Sequence, residues 1–229
     1  MKFVNLLITI LITFILNLAI SSCGFLDKDD ENDIEGVPSQ VNNFLDSNDI
    51  EELENAGMEI HKGADPPNIE GSYELNSLII TYDQVGMEGY TVAYYEIRYY
   101  DQKSDGTIKM DYESSQAGDY GYGVGAFISG DDNNYTVYIE AEGSITNCDY
   151  KMPSIHSGTK SASDDINDFY WGLIMTEKEG TNCDQLMPED AVRIIKESDG
   201  TASEISTKAA SINQKNDNNP SFRSIISTE

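Results

Sequence analysis

Apolar and polar residues alternate with a period of two along several short stretches between residues 69 and 205. Thr91–Tyr100 is the clearest of them: Ala93, Tyr95, Ile97 and Tyr99 fall on one face, and more polar residues fall on the other. A period of two with one apolar face is typical of half-buried antiparallel strands. The same pattern recurs in the stretches 107–112, 121–128, 135–142, 169–175 and 192–195.

The joints between these stretches are turn sequences. Asp105-Gly106 and Asp199-Gly200 are pairs that favour tight hairpins, and Asp131–Asn134 is polar throughout. Four glycines between residues 118 and 125 favour a bend or a β-bulge. Little helix separates the strands, and closing such a meander into a barrel removes its exposed edges. The sequence therefore predicts an all-β domain over residues 69–205, an antiparallel up-and-down barrel, with a β-sandwich as the alternative.

The chain on either side of the predicted barrel has a different pattern. Apolar residues in the segment 39–68 have helical spacing, and Pro66-Pro67 then enforces an extended chain, so we expect a short helix that acts as a lid or plug. The polar stretch Ser154–Asp168 predicts a loop that borders an opening. The polar tail 206–229 predicts disorder.

The chain is strongly acidic. It has 41 Asp and Glu against 14 Lys and Arg, a formal net charge of −27 over 229 residues. Such a charge repels nucleic acid and anionic bilayers, so no nucleic-acid partner is expected. It suits solubility under crowding, or a cationic or basic partner, and a solvated acidic surface is the simplest interpretation.

The N-terminus has the features of an export signal. Lys2 precedes the apolar run Phe3–Ile20, and two serines then precede Cys23. This ending resembles the lipobox of bacterial lipoproteins, which implies that residues 1–22 are removed and that a lipid on Cys23 attaches the protein to a membrane. A transmembrane anchor is the alternative, although polar residues interrupt the run.

Residues 23–38 are acidic and poor in core-forming side chains, which predicts a tether. Lys28-Asp29-Asp30-Glu31 resembles the export signal of surface lipoproteins of Bacteroidota. The resemblance implies an outer-membrane lipoprotein displayed on the cell surface, with the periplasmic face as the alternative.

A second resemblance lies at the start of the predicted barrel. Gly71-Ser72-Tyr73 is similar to the Gly-x-Trp opening of lipocalins, with tyrosine in place of tryptophan, and the stretch 57–73 is similar to uncharacterised Bacteroidota lipoproteins. The resemblance implies a lipocalin-like barrel and a small hydrophobic ligand. It does not identify that ligand.

Two cysteines remain beyond Cys23. Because the chain is predicted to be exported, Cys148 and Cys183 are expected to form a disulfide, and two free buried thiols are the alternative. No cofactor or metal site is predicted, because the acidic clusters Asp131–Asn134 and Asp164-Asp165 lack the EF-hand spacing for calcium.

The chain contains 14 tyrosines, many of them on predicted strands. Their rings would line a cavity, bind sugar on the surface, or simply suit a half-exposed sheet. The candidate ligand-binding residues are Tyr95, Tyr99, Tyr122, Tyr135 and Trp171.

Two functional hypotheses follow. The first is a non-enzymatic barrel that binds a small hydrophobic or amphipathic ligand, and the second is a packed surface adhesin or accessory subunit that binds glycan or protein through exposed tyrosines. An enzyme is not expected, because neighbouring His156 and Ser157 on a strand would point to opposite faces and the Gly-x-Ser-x-Gly elbow is absent. His156 is predicted to be a loop histidine.

Overall fold

Strands dominate the computed structural model, which describes residues 34–116, 119–145 and 147–205. A 3₁₀ turn (Ser39–Asn43) and helix α1 (Ser47–Asn55) precede the strands, and a second 3₁₀ turn (Cys183–Gln185) lies between the eleventh and twelfth strands. The strands are β1 (Gly71–Leu75), β2 (Leu78–Asp83), β3 (Tyr95–Tyr100), β4 (Thr107–Ser114), β5 (Asp119–Asp131), β6 (Asn134–Ile139), β7 (Glu142–Ile145), β8 (Cys148–Lys151), β9 (Ser154–Lys160), β10 (Ile166–Ile174), β11 (Glu177–Gly180), β12 (Val192–Glu197) and β13 (Thr201–Glu204).

The strands close into an eight-stranded antiparallel up-and-down barrel. Pairing proceeds in order from β1 through β3, β4, β5, β6 and β9 to β10. The barrel closes because β13 pairs with both β1 and β10, with Tyr73 opposite Glu204 and Ile166 opposite Ala202. The predicted lipocalin-like barrel is therefore confirmed over the sandwich. Gly106, at φ 80°, makes the predicted hairpin between β3 and β4.

β12 and β13 are two halves of one interrupted strand. Both run antiparallel to β10, since Lys196 lies opposite Tyr170 and Thr201 lies opposite Asn167. The hairpin predicted at Asp199-Gly200 is therefore wrong, because this turn bends the strand without reversing it. β1 and β2 are interrupted in the same way, and β2 pairs with β12.

The Glu197 carboxyl group lies where these two interrupted strands bend. Its Oε1 accepts a hydrogen bond from the Ser77 N–H at 2.8 Å, and the Ser198 N–H donates to the Ser77 carbonyl at 2.9 Å. Its Oε2 is buried without a hydrogen-bond partner among the described residues. Burial, assisted by the nearby charge of Asp199, raises the pKa of Glu197 from 4.5 to about 7.

Ionisation of Glu197 is expected to destabilise the folded protein as pH rises. The unfolded chain releases this proton near pH 4.5 and the folded chain near pH 7, so the destabilisation is absent below the first value and complete above the second. We therefore compare the change that Glu197→Gln makes in the free energy of unfolding at two pH values. This change should be about 2–3 kcal/mol more favourable to the folded protein at about pH 8 than at about pH 4.

Urea unfolding of both proteins at the two pH values measures this difference. Glu179→Gln, which changes an exposed acid on β11, is the control. If wild type and Glu197→Gln show parallel stability profiles, the prediction is wrong.

β7, β8 and β11 form a separate three-stranded sheet beyond one end of the barrel. The sheet extends the β6–β9 pair, since the Met152 N–H donates to the Ala141 carbonyl at 2.8 Å. The predicted disulfide is present: Cys148 on β8 is bonded to Cys183, 35 residues later. Closing a loop of this length stabilises a fold by about 3–4 kcal/mol in the chain-entropy model.

Residues 34–62, called here the N-terminal segment, contain the predicted short helix. Asp46 caps α1 by accepting from the Asn48 and Asp49 N–H groups, and the Asp49 carboxylate accepts in return from the Asp46 N–H. The helix ends before Gly57, whose φ of 96° favours glycine. The segment includes residues 34–38 of the predicted tether, and Ile34 is 7% exposed.

The N-terminal segment packs on the outer wall of the barrel. Its buried apolar side chains are Ile34, Val41, Leu45, Ile50, Leu53 and Met58, and they meet the outward side chains Tyr138, Ile155, Ile174, Val192 and Ile194. Contact is close over β10, because a Cβ on Gly172 would lie 2.6 Å from the Met58 sulfur and 2.9 Å from a Leu53 methyl group. Strands β6 and β9 are therefore buried on both faces.

The predicted lipidation residue Cys23, the signal peptide 1–22, the tether up to residue 33 and the tail 206–229 lie outside the described residues. Within the described ranges, no helix has the length and apolar character needed to cross a membrane.

Candidate functional site

Four of the five predicted ring residues meet inside the barrel. Tyr95, Tyr99, Tyr135 and Trp171 are each no more than 1% exposed. The rings of Tyr95 and Trp171 meet edge to face, with centroids 5.2 Å apart. These four residues belong to a larger set, called here the interior cluster: Tyr73, Tyr95, Tyr99, Tyr112, Tyr135, His156, Phe169 and Trp171.

His156 connects the rings of the interior cluster through hydrogen bonds. Its Nδ1 lies 2.6 Å from the Tyr99 hydroxyl, and its Nε2 lies 3.5 Å from the Ser154 hydroxyl. The indole N–H of Trp171 donates to Ser154 Oγ at 2.6 Å. Complete burial lowers the pKa of His156 to about 3, so the imidazole is neutral at neutral pH.

The sequence placed His156 in a loop, and this prediction is wrong. Residues Ser154–Lys160 form β9 and the predicted loop also contains the start of β10. The alternation signal is lost because β9 is buried on both faces, with His156 inside the barrel and Ile155 beneath the N-terminal segment. Among the described residues, no carboxylate hydrogen-bonds to His156, so a Ser–His–acid triad is not assembled here.

One end of the interior cluster is polar. Lys160 Nζ donates to the Tyr73 hydroxyl at 2.9 Å and lies 5.2 Å from the centre of that ring, and the Tyr73 hydroxyl donates to the Ile69 carbonyl at 3.0 Å. The Tyr135 hydroxyl is buried and has no hydrogen-bond partner in the described part of the chain. Burial raises the pKa of Tyr135 well above 10, so this hydroxyl remains a donor.

Tyr122, the fifth predicted residue, lies apart from the interior cluster. Met110 is paired with Val124 and Tyr112 with Gly121, so two residues of β5 lie opposite the single residue Asp111. This β-bulge shifts the alternation of β5 and places Tyr122 on the outer face. The glycines predicted a bulge, but the sequence did not show at which residue of β5 the alternation between inner and outer face shifts.

The outer wall of β3, β4 and β5 has a group of partly exposed tyrosines, and we call it the tyrosine face: Tyr94, Tyr100, Tyr120 and Tyr122. The Tyr94 hydroxyl donates to Glu96 at 2.8 Å and the Tyr100 hydroxyl donates to Asp111 at 3.1 Å. Partial burial, together with these carboxylates, raises the pKa values of Tyr94 and Tyr100. The hydroxyls are therefore held in place and remain protonated at neutral pH.

Ring and ion-pair contacts further order the tyrosine face. The rings of Tyr120 and Tyr122 lie 5.6 Å apart at an interplanar angle of 33°. The Arg98 guanidinium lies 4.8 Å from the centre of the Tyr100 ring and forms an ion pair with Asp111. Rings positioned on rigid strands lose little conformational entropy when a ligand stacks on them.

Two grooves border this wall on the outside of the barrel. A hollow of about 460 Å³ lies over β4 and β5, and its lining includes Lys109, Gly125 and Phe127. A larger groove of about 800 Å³ runs between residues 36–40 of the N-terminal segment and the turn at 102–106. Both open to solvent, so the outer wall offers concave surface on which a ligand can bind.

The described residues contain no group of three or more His, Cys, Asp or Glu arranged to hold a metal ion. No protein-family model, curated protein or solved structure matches this chain. The assignment of function therefore depends on the geometry of the interior cluster and of the tyrosine face.

Proposed function

We propose that this protein is a lipid-anchored, non-enzymatic surface module that binds carbohydrate through its tyrosine face. The observation that carries the proposal is the contrast between the two sets of rings. Tyr95, Tyr99, Tyr135 and Trp171 are buried against one another, whereas the rings of the tyrosine face are partly exposed beside hydrogen-bonding carboxylates. The barrel then acts as a packed scaffold, and its outer wall acts as the binding surface.

Carbohydrate fits the chemistry of this wall. A sugar ring offers an apolar C–H face, which stacks on tyrosine, and a rim of hydroxyl groups, which bond to carboxylates and to basic side chains. Tyr94 and Glu96, both partly exposed, already place an aromatic ring beside a carboxylate. The strongly negative chain repels acidic polymers, so the ligand proposed is a neutral glycan.

The double variant Tyr120→Ala/Tyr122→Ala tests this proposal. Loss of the two neighbouring rings should weaken binding to neutral polysaccharide by about tenfold or more, since aromatic side chains dominate such contacts. Affinity electrophoresis of the full chain against mannan, xylan and β-glucan measures the effect.

Tyr90→Ala is the matched control, because Tyr90 is 61% exposed and lies outside the tyrosine face. Binding that is equal in the wild type and the double variant would contradict the proposal. The proposal would also be contradicted if the wild type bound none of the neutral polysaccharides tested.

A second candidate function is a small amphipathic ligand inside the barrel. The Tyr135 hydroxyl favours it, because this buried donor has no partner in the described residues. Tyr135→Phe should then reduce uptake of a fluorescent fatty-acid probe by the full chain. If the interior is fully packed instead, neither protein takes up the probe, and removing the unpaired hydroxyl leaves the stability unchanged or slightly higher.

The lipid anchor has its own test. Cys23→Ala should abolish incorporation of labelled palmitate and move the protein from the membrane fraction to the soluble fraction, because the thiol of Cys23 is the proposed attachment point. Cys148→Ser/Cys183→Ser is the control and should keep its label, since those thiols form the disulfide. Unchanged labelling of Cys23→Ala would rule the anchor out.

A further inference from the structure

Gly125, which has no side chain, lines the hollow beside the tyrosine face. Gly125 lies on the outer face of β5, opposite Lys109 of β4. A Cβ built there would meet no heavy atom within 4 Å, and the φ angle lies outside the left-handed region. Neither crowding nor backbone strain therefore requires glycine at this position, whereas a larger side chain would fill the hollow.

The rim of the hollow carries balanced charge. Two ammonium groups, Lys103 and Lys109, and two carboxylates, Asp101 and Glu140, surround it. Lys109 Nζ lies 2.9 Å from Asp101 Oδ2, and both side chains are close to half exposed. Hydrogen-bond donors and acceptors are therefore both within reach of a ligand, and the four formal charges of the rim sum to zero.

An aromatic ring borders the same space. Phe127 lines the hollow and stacks on Phe44 of the N-terminal segment, with centroids 6.4 Å apart. The Phe127 ring is therefore held by its packing against the N-terminal segment. An apolar wall beside a rim of both donors and acceptors matches a neutral ring that has one C–H face and several hydroxyl groups.

We infer that the hollow over Gly125 is the subsite that holds one neutral sugar residue of the bound glycan and sets its specificity. This inference rests on the proposed function. Phe127 contacts the C–H face, Asp101 and Glu140 accept from sugar hydroxyls, and Lys103 and Lys109 donate to sugar oxygens. The tyrosine face then stacks on the neighbouring sugar residues of the same glycan.

Substitution of Gly125 tests the subsite. Gly125→Leu fills the hollow and should weaken polysaccharide binding by about tenfold or more, whereas Gly125→Ala should weaken it less. Both variants should keep the thermal midpoint of the wild type, because the added side chain points into open space. In the wild-type full chain, titration with methyl hexosides should shift the Gly125 amide signal in NMR spectra, with no matching shift at Gly200.

The outcomes separate the two proposals. If wild type binds polysaccharide, Tyr120→Ala/Tyr122→Ala loses binding and Gly125→Leu binds as wild type does, the subsite is refuted while the proposed function stands. If wild type binds none of the polysaccharides and the methyl hexosides leave the Gly125 amide unshifted, both are refuted. Loss of binding in Gly125→Leu with an unchanged melting curve, together with the Gly125 shift, supports the subsite.

Discussion

Trp171→Ala is expected to lower the free energy of unfolding by about 4 kcal/mol, because it removes the largest ring at the centre of the interior cluster. The indole is 1% exposed, meets His156 at 4.9 Å between centroids, and donates to Ser154. Alanine leaves a cavity there and also leaves the Ser154 hydroxyl without this donor. Urea unfolding at neutral pH measures the change.

Trp171→Phe and Tyr90→Ala are the controls for this prediction. Phenylalanine keeps most of the ring volume but lacks the indole N–H, so it should cost about half as much stability as alanine. Tyr90 is 61% exposed, and its replacement should change stability by less than about 0.5 kcal/mol. A loss below about 1 kcal/mol for Trp171→Ala would mean that the interior is loosely packed, which would favour the interior-ligand candidate.

The second large effect concerns the ion pair between Asp83 of β2 and Arg193 of β12. The exposed fractions of the two side chains are 0% and 1%. Asp83 also accepts hydrogen bonds from the Val85 and Met87 N–H groups, at 2.6 and 3.2 Å. Asp83→Asn removes the negative charge and leaves a buried guanidinium without its carboxylate, so we expect a loss of about 3–5 kcal/mol.

A matched exposed pair provides the comparison for Asp83→Asn. Lys151 and Glu177 form an ion pair with side chains 51% and 54% exposed, so Glu177→Gln should cost less than about 0.5 kcal/mol. Replacing both buried partners, as Asp83→Asn/Arg193→Met, should recover part of the loss because no uncompensated charge remains. Equal effects of Asp83→Asn and Glu177→Gln would show that burial does not determine the strength of these pairs.

Strands that expose one face were predictable from the sequence. In β3 the residues Tyr95, Ile97 and Tyr99 point inward, as the alternation indicates, because the opposite face meets solvent. The turn at Gly106 was also predictable, since its φ of 80° is a local property that glycine satisfies. The pairing of Cys148 with Cys183 was predictable because these two cysteines remain beyond Cys23 in a chain whose sequence predicts export.

Strand β9, which is covered on both faces, was not predictable from the alternation of apolar and polar residues. β9 contains polar residues such as Ser154 and His156, and these are buried because hydrogen-bond partners reach them from other strands, Trp171 of β10 for Ser154 and Tyr99 of β3 for His156. The turn at Asp199-Gly200 has a hairpin sequence, yet it bends an interrupted strand because β10 pairs with both halves. In each case a distant partner decides the outcome, and a local pattern carries no information about that partner.

Alternation, turn residues and cysteine number act locally or through composition. They predicted an acidic, all-β domain with a disulfide, and they favoured an up-and-down barrel over the alternative of a β-sandwich. The outward position of Tyr122 and the neighbours of Tyr99 inside the barrel could not be predicted in this way. The bulge opposite Asp111 puts Tyr122 outside, and ring packing puts Tyr99 beside His156. The tertiary structure also placed the N-terminal segment on one outer wall and left the tyrosine face and the hollow at Gly125 open to solvent on another. Burial and exposure of each side chain depend on which strands become neighbours when the barrel closes.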